Sequence, residues 1–393
     1  MKYVIIGNGP AGSTAAREIR KNDNEGSITI ISKEKIPFYY RPRLPEVISG
    51  KASEQDIIII KDEWYKENKI DLKLKQEVAA IIVNEKKIIL KDGESIDYDK
   101  LLIATGSIAN KIPIPGIDGE HIFTLRTIDD ALILNSIAKH KNNIGVIGGG
   151  LLGLEAAYSL AAVRKSTVTV IEYFDRLLPR QLDKEGADIL QLILEKKGLN
   201  FMLGAATTNI SNKGDKNIIE IKDGRVVEVD FLLVSTGINI EKALAEKSGI
   251  TSNKGIITNN RMETNKHDIY AAGDCAEHNG RIYGLWPASM EQGGIAGKVM
   301  AGKEGIYNGT IPSTELKVAG INLVSMGEIL SEIPSNEEEK IEYKKINKSS
   351  GIYKNMFVQN GIIKGAILIG DIMDKNKIQK AIGKSEENIK VLI

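Results

Sequence analysis

The sequence has almost none of the residues that build covalent or metal-centred chemistry. Its 393 residues hold one cysteine, Cys275, and four histidines. One thiol excludes an internal disulfide, a Cys-x-x-Cys redox pair and a cysteine zinc site. His121, His140, His267 and His278 lack metal-ligand spacing, so no metal is expected. Proline is sparse, at 10, and the hydrophobic share is 42%, which excludes collagen-like and disordered chains. Neither sign of charge prevails: 53 Lys plus Arg stand against 52 Asp plus Glu. That balance gives none of the positive field of a nucleic-acid binder, and no nucleic-acid partner is expected. No apolar run nears the ~18 residues of a bilayer span; even Ile57 to Ile60 is closed by Asp56 and Lys61. The apolar start, Tyr3 to Ile6, ends at Gly7 and is too short for a secretory leader. The expectation is therefore no membrane attachment and a reducing cytoplasm.

What is present is a long internal duplication. Tyr3 to Ile6 reads as a strand, followed by a glycine turn, an Ala-rich helix from Ala11 to Arg20 and a β-branched strand from Ile28 to Ile31. The same order returns in Ile144 to Ile147, Gly148-Gly149-Gly150, Leu151 to Ala162 and Val168 to Ile171. Each copy is a βαβ unit, which makes its strands parallel and lays its helix on one face. Val78 to Val83 with Lys87 to Leu90, and Ile218 to Ile221 with Val226 to Val229, flank Asp-Gly turns and read as inserted hairpins. Breaker-rich stretches at 112–119 and 236–239 divide the chain into segments 1–111, 112–239, 240–310 and 311–393. The last carries short strands (Lys317 to Leu323, Ile341 to Lys345, Tyr353 to Gln359, Ile362 to Ile369) and a final polar helix. The acidic run 337–339 reads as a solvated turn. The fold class expected is α/β, with two Rossmann-like nucleotide-binding domains and a small α+β C-terminal domain.

Gly7-Asn8-Gly9-Pro10-Ala11-Gly12 follows a strand and opens a helix. There the first glycine permits the turn, the second lets a pyrophosphate approach the backbone, and the third lets helix and strand lie close. Gly148, Gly150 and Gly153 repeat the spacing around Leu151 and Leu152. A single such turn is often mere close packing; two, each in a βαβ context, point to two dinucleotides. In the second unit Glu172 ends the second strand, where a carboxylate accepts ribose hydroxyls and repels a 2′-phosphate, so NADH is favoured over NADPH. In the first unit the aligned residue is Ser32, and the nearest carboxylate, Glu34, follows Lys33. Glu34 reads either as the ribose acid or as a plain surface acid.

Two nucleotide folds in one chain, with the Ala104-Thr105-Gly106 segment, its echo Ser235-Thr236-Gly237, and Ala271-Ala272-Gly273-Asp274, resemble the FAD-dependent pyridine nucleotide-disulfide oxidoreductase superfamily. The resemblance implies that Asp274 bonds the ribitol chain of FAD. It also implies that the helix beginning at Trp286 points its N-terminus at the flavin; Trp286 read alone is core packing. Where a redox cysteine would stand is Tyr39-Tyr40-Arg41-Pro42-Arg43-Leu44, which resembles the cysteine-free branch and, over nearly the full length, its NADH:rubredoxin oxidoreductases. Gly-Ser-Ile-Ala-Asn-Lys-Ile at 106–112, Arg180-Gln181-Leu182-Asp183 and Met262-Glu263-Thr264 are shared features. The implied cofactors are FAD and NADH, with further contacts from Val78, Arg41, Arg43 and Gly237. Catalytic roles are implied for Glu155 and Arg41. In several relatives a lysine pairs with the glutamate at Glu155 near flavin N5; here Pro45-Glu46 stands in its place. Glu155 otherwise reads as a first-turn acid complementing the helix dipole.

The activity implied is hydride transfer from NADH to FAD and single-electron delivery to a small protein, rubredoxin foremost. Such acidic partners lead to an expected basic patch at Arg41 and Arg43. Alternatives are another acceptor (ferredoxin, a nitrite reductase centre, oxygen) or a non-catalytic NADH sensor. The chain is expected to be a monomer or a homodimer.

Overall fold

In the computed structural model, which describes residues 1–329, 339–347 and 350–391, the chain divides into two units. One gathers Met1–Arg41, Glu54–Ile108 and Ile238–Thr310, the other Pro42–Ser53, Ala109–Gly237 and Ile311–Ile393.

Lys2–Ile6 and Ser27–Ser32 in the first unit are near-continuous apolar strands buried on both faces, as a parallel sheet covered on both sides requires. They pair in parallel within a five-stranded sheet ordered 269–271, 100–103, 2–6, 27–32, 70–74. The crossover helix Pro10–Asn22 starts on a proline and ends with Arg20 and Lys21, the polarity that suits its dipole. It packs against Trp286–Met300 so closely that a Cβ on Gly293 would lie 2.2 Å from the Ala11 carbonyl oxygen. Across the sheet, Val4, Ile31, Leu101 and Ile103 form a second core with Ile81, Ile88 and Leu90 of the antiparallel strands Val78–Ile82 and Lys87–Leu90.

The second unit repeats the plan. Its parallel sheet runs 199–202, 167–171, 143–147, 231–234, 122–124, with Leu151–Arg164 as the crossover helix. The three strands Thr207–Lys213, Lys216–Ile221 and Val226–Val229 form an antiparallel sheet. The C-terminal segment adds an antiparallel sheet ordered 313–318, 321–327, 362–369, 352–359, 340–347, and the helix Lys375–Ala381.

Two features depart from the sequence reading. The run Lys317 to Leu323 is not one strand: Ala319 and Gly320 take φ of 54° and 80° and turn it into a hairpin between Ser313–Val318 and Ile321–Gly327. Pro42–Ser53 leaves the first segment for the second unit, because the helix Leu44–Ile48 buries Leu44, Val47 and Ile48 and its Ile48 carbonyl accepts Asn135 Nδ2 at 2.7 Å. Residues 311–393 are grouped in one unit with 109–237. The acidic run 337–339 lies outside the described residues but for Glu339. Among the described residues no helix is long and apolar enough to cross a membrane.

Candidate functional site

The two glycine turns are built alike. Gly7 has φ of +114°, and a Cβ there would lie 2.1 Å from the Ala104 carbonyl oxygen; one on Gly12 would lie 1.9 Å from that of Gly7. In the second unit Gly148 has φ of +110° and meets Ser235 O at 2.2 Å, while Gly153 meets Gly148 O at 2.2 Å. The middle glycines differ from these: a Cβ on Gly9 or on Gly150 meets nothing within 4 Å. Outer glycines are therefore demanded by the protein's own backbone, and the middle ones border open space. Neither helix that follows has a side-chain cap or an acid in its first turn, which leaves its first N–H groups to an anion. In the first turn Asn8 Oδ1 accepts the Ser13 and Tyr65 hydroxyls, each at 3.1 Å, and its buried Nδ2 has no partner. An unpaired buried donor beside an open glycine fits the diphosphate of FAD. Pro10 and Ala11 supply the start of that helix, as Leu151 and Leu152 do in the second.

Beyond the first turn, Ser32 is buried and its Oγ accepts the Glu34 N–H at 3.2 Å. Glu34 is no plain surface acid: its carboxylate accepts the Tyr39 hydroxyl at 2.9 Å and Arg41 NH2 at 2.5 Å. Burial opposes the charge on Arg41, but the neighbouring Tyr39 and Glu34 outweigh it and hold the guanidinium protonated. Lys33 pairs with Glu241 at 2.9 Å. Thr105 Oγ1 donates to Glu241 O at 3.1 Å. Asp274 Oδ2 accepts the Ser107 hydroxyl at 2.8 Å, and Oδ1 faces Ser289 Oγ at 3.5 Å; Gly273 N–H donates to Gln292 Oε1 at 2.9 Å. These contacts fix the acceptor that the resemblance directs at the ribitol. Trp286 opens its helix stacked on Phe38 at 5.4 Å, with Tyr40 edge-on at 5.0 Å, so it packs as well as flanks. Val78 is half-buried at the edge of the second core, and Gly106 has φ of +73° in the bend after Thr105.

In the second unit Glu172 is 6% exposed, and its carboxylate accepts Gly149 N–H at 2.5 Å and Phe174 N–H at 2.9 Å. The acid thus braces the turn it was expected to serve and lies beside open Gly150. Arg176 is turned onto Asp175 at 3.1 Å and Pro179 O at 3.4 Å. Gly237, at φ +98°, accepts Asn110 N–H at 3.0 Å. The residues of this turn fit NADH.

Glu155 lies beyond the first turn of its helix, which holds no acid, so a dipole-capping role does not describe it. It is partly buried, and burial, aided by the charge of Glu46, pushes its carboxyl up to about 7 against one backbone hydrogen bond from Lys317. Arg43 does not relieve it: its Nε and NH2 hold Glu46 at 2.8 and 2.7 Å. Lys51 lies 6.0 Å over the Tyr158 ring. The basic patch expected at Arg41 and Arg43 is thereby corrected, since each guanidinium is already held by a carboxylate.

Sequence reasoning missed Tyr65, Ser107, Ser289 and Gln292. Ser107 directly follows the Ala-Thr-Gly segment and the next two lie in the Trp286 helix, so adjacency was a usable signal; Tyr65 carried none.

Residues 1–293 match the pyridine nucleotide-disulphide oxidoreductase family, and residues 312–386 match the rubredoxin NAD+ reductase C-terminal domain. The chain is 36% identical to the assimilatory nitrate reductase electron transfer subunit of Bacillus subtilis over 98% of its own length and 50% of that protein. It spans about half the length of the two Bacillus subtilis relatives it matches, 50% and 48%. It is 36% identical to the NADH-rubredoxin oxidoreductase of Clostridium acetobutylicum over 100% of this chain and 97% of that one. The crystal structure of NADH:rubredoxin oxidoreductase from Clostridium acetobutylicum superposes with a TM-score of 0.81 at 32% identity, covering 100% and 99% of the two chains. With two nucleotide turns that fit FAD and NADH, and with residues 312–386 matching the rubredoxin NAD+ reductase C-terminal domain, this chain belongs to the pyridine nucleotide-disulphide oxidoreductase family.

Proposed function

We propose that the protein takes hydride from NADH and delivers electrons singly to a small electron-transfer protein of the rubredoxin kind. The observation that carries this reading is the state of the one thiol. Cys275 is 0% exposed, its Sγ donates toward Ile103 O and Ala272 O, each at 3.4 Å, and burial pushes its pKa up. A thiol so held is a poor nucleophile, which leaves no sulfur step and favours direct passage of electrons outward. FAD and NADH supply the hydride chemistry and its division into single electrons.

The chain's residues bind, orient and handle the proton. The Gly7 and Gly148 turns hold the two diphosphates, Asp274 braced by Ser107 takes the ribitol, and Glu172 takes the adenosine ribose while repelling a 2′-phosphate. Oxidation of NADH by two one-electron acceptors releases one proton, and Glu155, poised near neutral pH, is the group assigned to hold it. A second acceptor class, a redox centre on a partner subunit, is favoured by the likeness to the nitrate reductase subunit.

Anaerobic titration tests the reading. NADH should bleach the bound flavin at far lower concentration than NADPH, and added rubredoxin should restore the yellow form. A reduced flavin that rubredoxin leaves bleached, while another carrier restores it, overturns the acceptor assignment.

A further inference from the structure

The C-terminal sheet meets the helix of Glu155 at its open edge. Gly327 N–H bonds Pro312 O at 2.8 Å, so the ladder between Ser313–Val318 and Ile321–Gly327 runs through the even-numbered residues of the first strand. The odd-numbered ones, Lys317 among them, present their N–H outward, and among the described residues no strand pairs on that side. The Lys317 N–H is the donor that reaches the Glu155 carboxyl.

Three strands away in the same sheet, roughly 14 Å at ordinary strand spacing, a second contact pins the domain. Asp183, the last residue of the Arg180-Gln181-Leu182-Asp183 motif, is 4% exposed. Its Oδ1 caps the helix Lys184–Lys196 through Gly186 N–H at 2.8 Å. Its Oδ2 accepts Asn355 Nδ2 at 2.7 Å and the Tyr353 hydroxyl. Tyr353 and Asn355 share one face of Ile352–Gln359; Lys354, on the other, pairs with Asp371 at 2.7 Å. A buried carboxylate fed by three donors has one satisfactory arrangement, and a hydrogen-bonded ladder carries that position across to the edge strand.

We propose that the C-terminal domain is a positioning element for Glu155: its edge strand supplies the Lys317 N–H to the carboxyl, and the Asp183–Tyr353–Asn355 junction holds that strand in register with the Leu151–Arg164 helix. The inference rests on the reading of Glu155 as the proton-holding group. The charged group acting on Glu155 is Glu46, itself held by Arg43; Tyr158, three residues on along the same helix face, carries Lys51 over its ring. Those around the junction are Glu185, Glu342 and Lys344, with Lys344 joining both acids.

Lys317→Pro removes the donor at an edge position that tolerates proline, and Lys317→Ala, which loses the same side chain but keeps the N–H, is the reference against which its midpoint is read. Tyr353→Phe and Asp183→Asn loosen the junction from a distance. The Glu155 carboxyl is followed by the infrared band lost in Glu155→Gln, and the Lys317 amide by hydrogen exchange, both on the flavin-loaded protein. Lys317→Pro should raise the carboxyl midpoint by about one pH unit, the loss of one hydrogen bond to a charged group. Tyr353→Phe or Asp183→Asn should move it the same way and speed Lys317 amide exchange roughly tenfold. An unmoved midpoint in Lys317→Pro overturns the proposal. So does a wild-type midpoint and amide in either junction variant that folds. If Glu155→Gln keeps wild-type turnover and pH profile, the proton role fails instead, while the band and the amide still report on positioning.

Discussion

Glu155→Gln is the most informative single substitution, because it keeps shape and removes one titration. Folding carries the carboxyl from an ordinary 4.5 to about 7, which corresponds to a ceiling of about 3 kcal/mol. The group's pKa is raised in the folded state, so its contribution is fully present below pH 4.5. Stability is lost as pH climbs toward 7, where a partly buried charge faces Glu46. Glutamine never acquires that charge. The variant should therefore match the wild type near pH 4.5 and exceed it by up to about 3 kcal/mol above pH 7. Both tryptophans, Trp64 and Trp286, belong to the first unit, so tryptophan fluorescence would read the wrong half. Hydrogen exchange of the Leu151–Arg164 amides, variant against wild type at each pH, reads the right one. A difference constant from pH 4.5 to pH 8 would refute the account of why Glu155 titrates late.

The glycine turns predict opposite outcomes for one change. Gly7→Ala, strained by its φ and blocked by Ala104 O, should cost about 3 kcal/mol or more, whereas Gly9→Ala should fold normally and bind FAD roughly tenfold or more weakly. Thermal unfolding and flavin fluorescence check the pair, and equal destabilisation would remove the distinction. Arg41→Met should weaken FAD about tenfold by stripping Glu34 of its cation, with NADH binding unchanged in flavin-loaded protein. Glu172→Gln should raise the KM for NADH about tenfold through the weakened hold on Gly149 and the ribose, while leaving NADPH no worse, which paired steady-state assays decide.

The duplicated βαβ pattern, both glycine turns, the acid at Glu172 and the Gly-Asp of Asp274 were legible in the sequence because each depends on neighbours a few residues apart. A strand, a turn needing positive φ and a helix start are local events, and their order names the fold class. Long-range pairing had no such trace. Tyr65 reaches Asn8 across 57 residues, Ser107 reaches Asp274 across 167, and Tyr353 reaches Asp183 across 170. Only folding brings these donors to their acceptors. Charge was misread for the same reason: Arg41 and Arg43 look like a basic patch in a list of residues, and become two closed ion pairs once Glu34 and Glu46 are in place. The sequence by itself decided that two dinucleotides are held, because the backbone geometry of a glycine turn is written in adjacent residues. The tertiary structure alone decided how Glu155 is set, because burial, the charge of Glu46 and the N–H of Lys317 come from three separate stretches of chain.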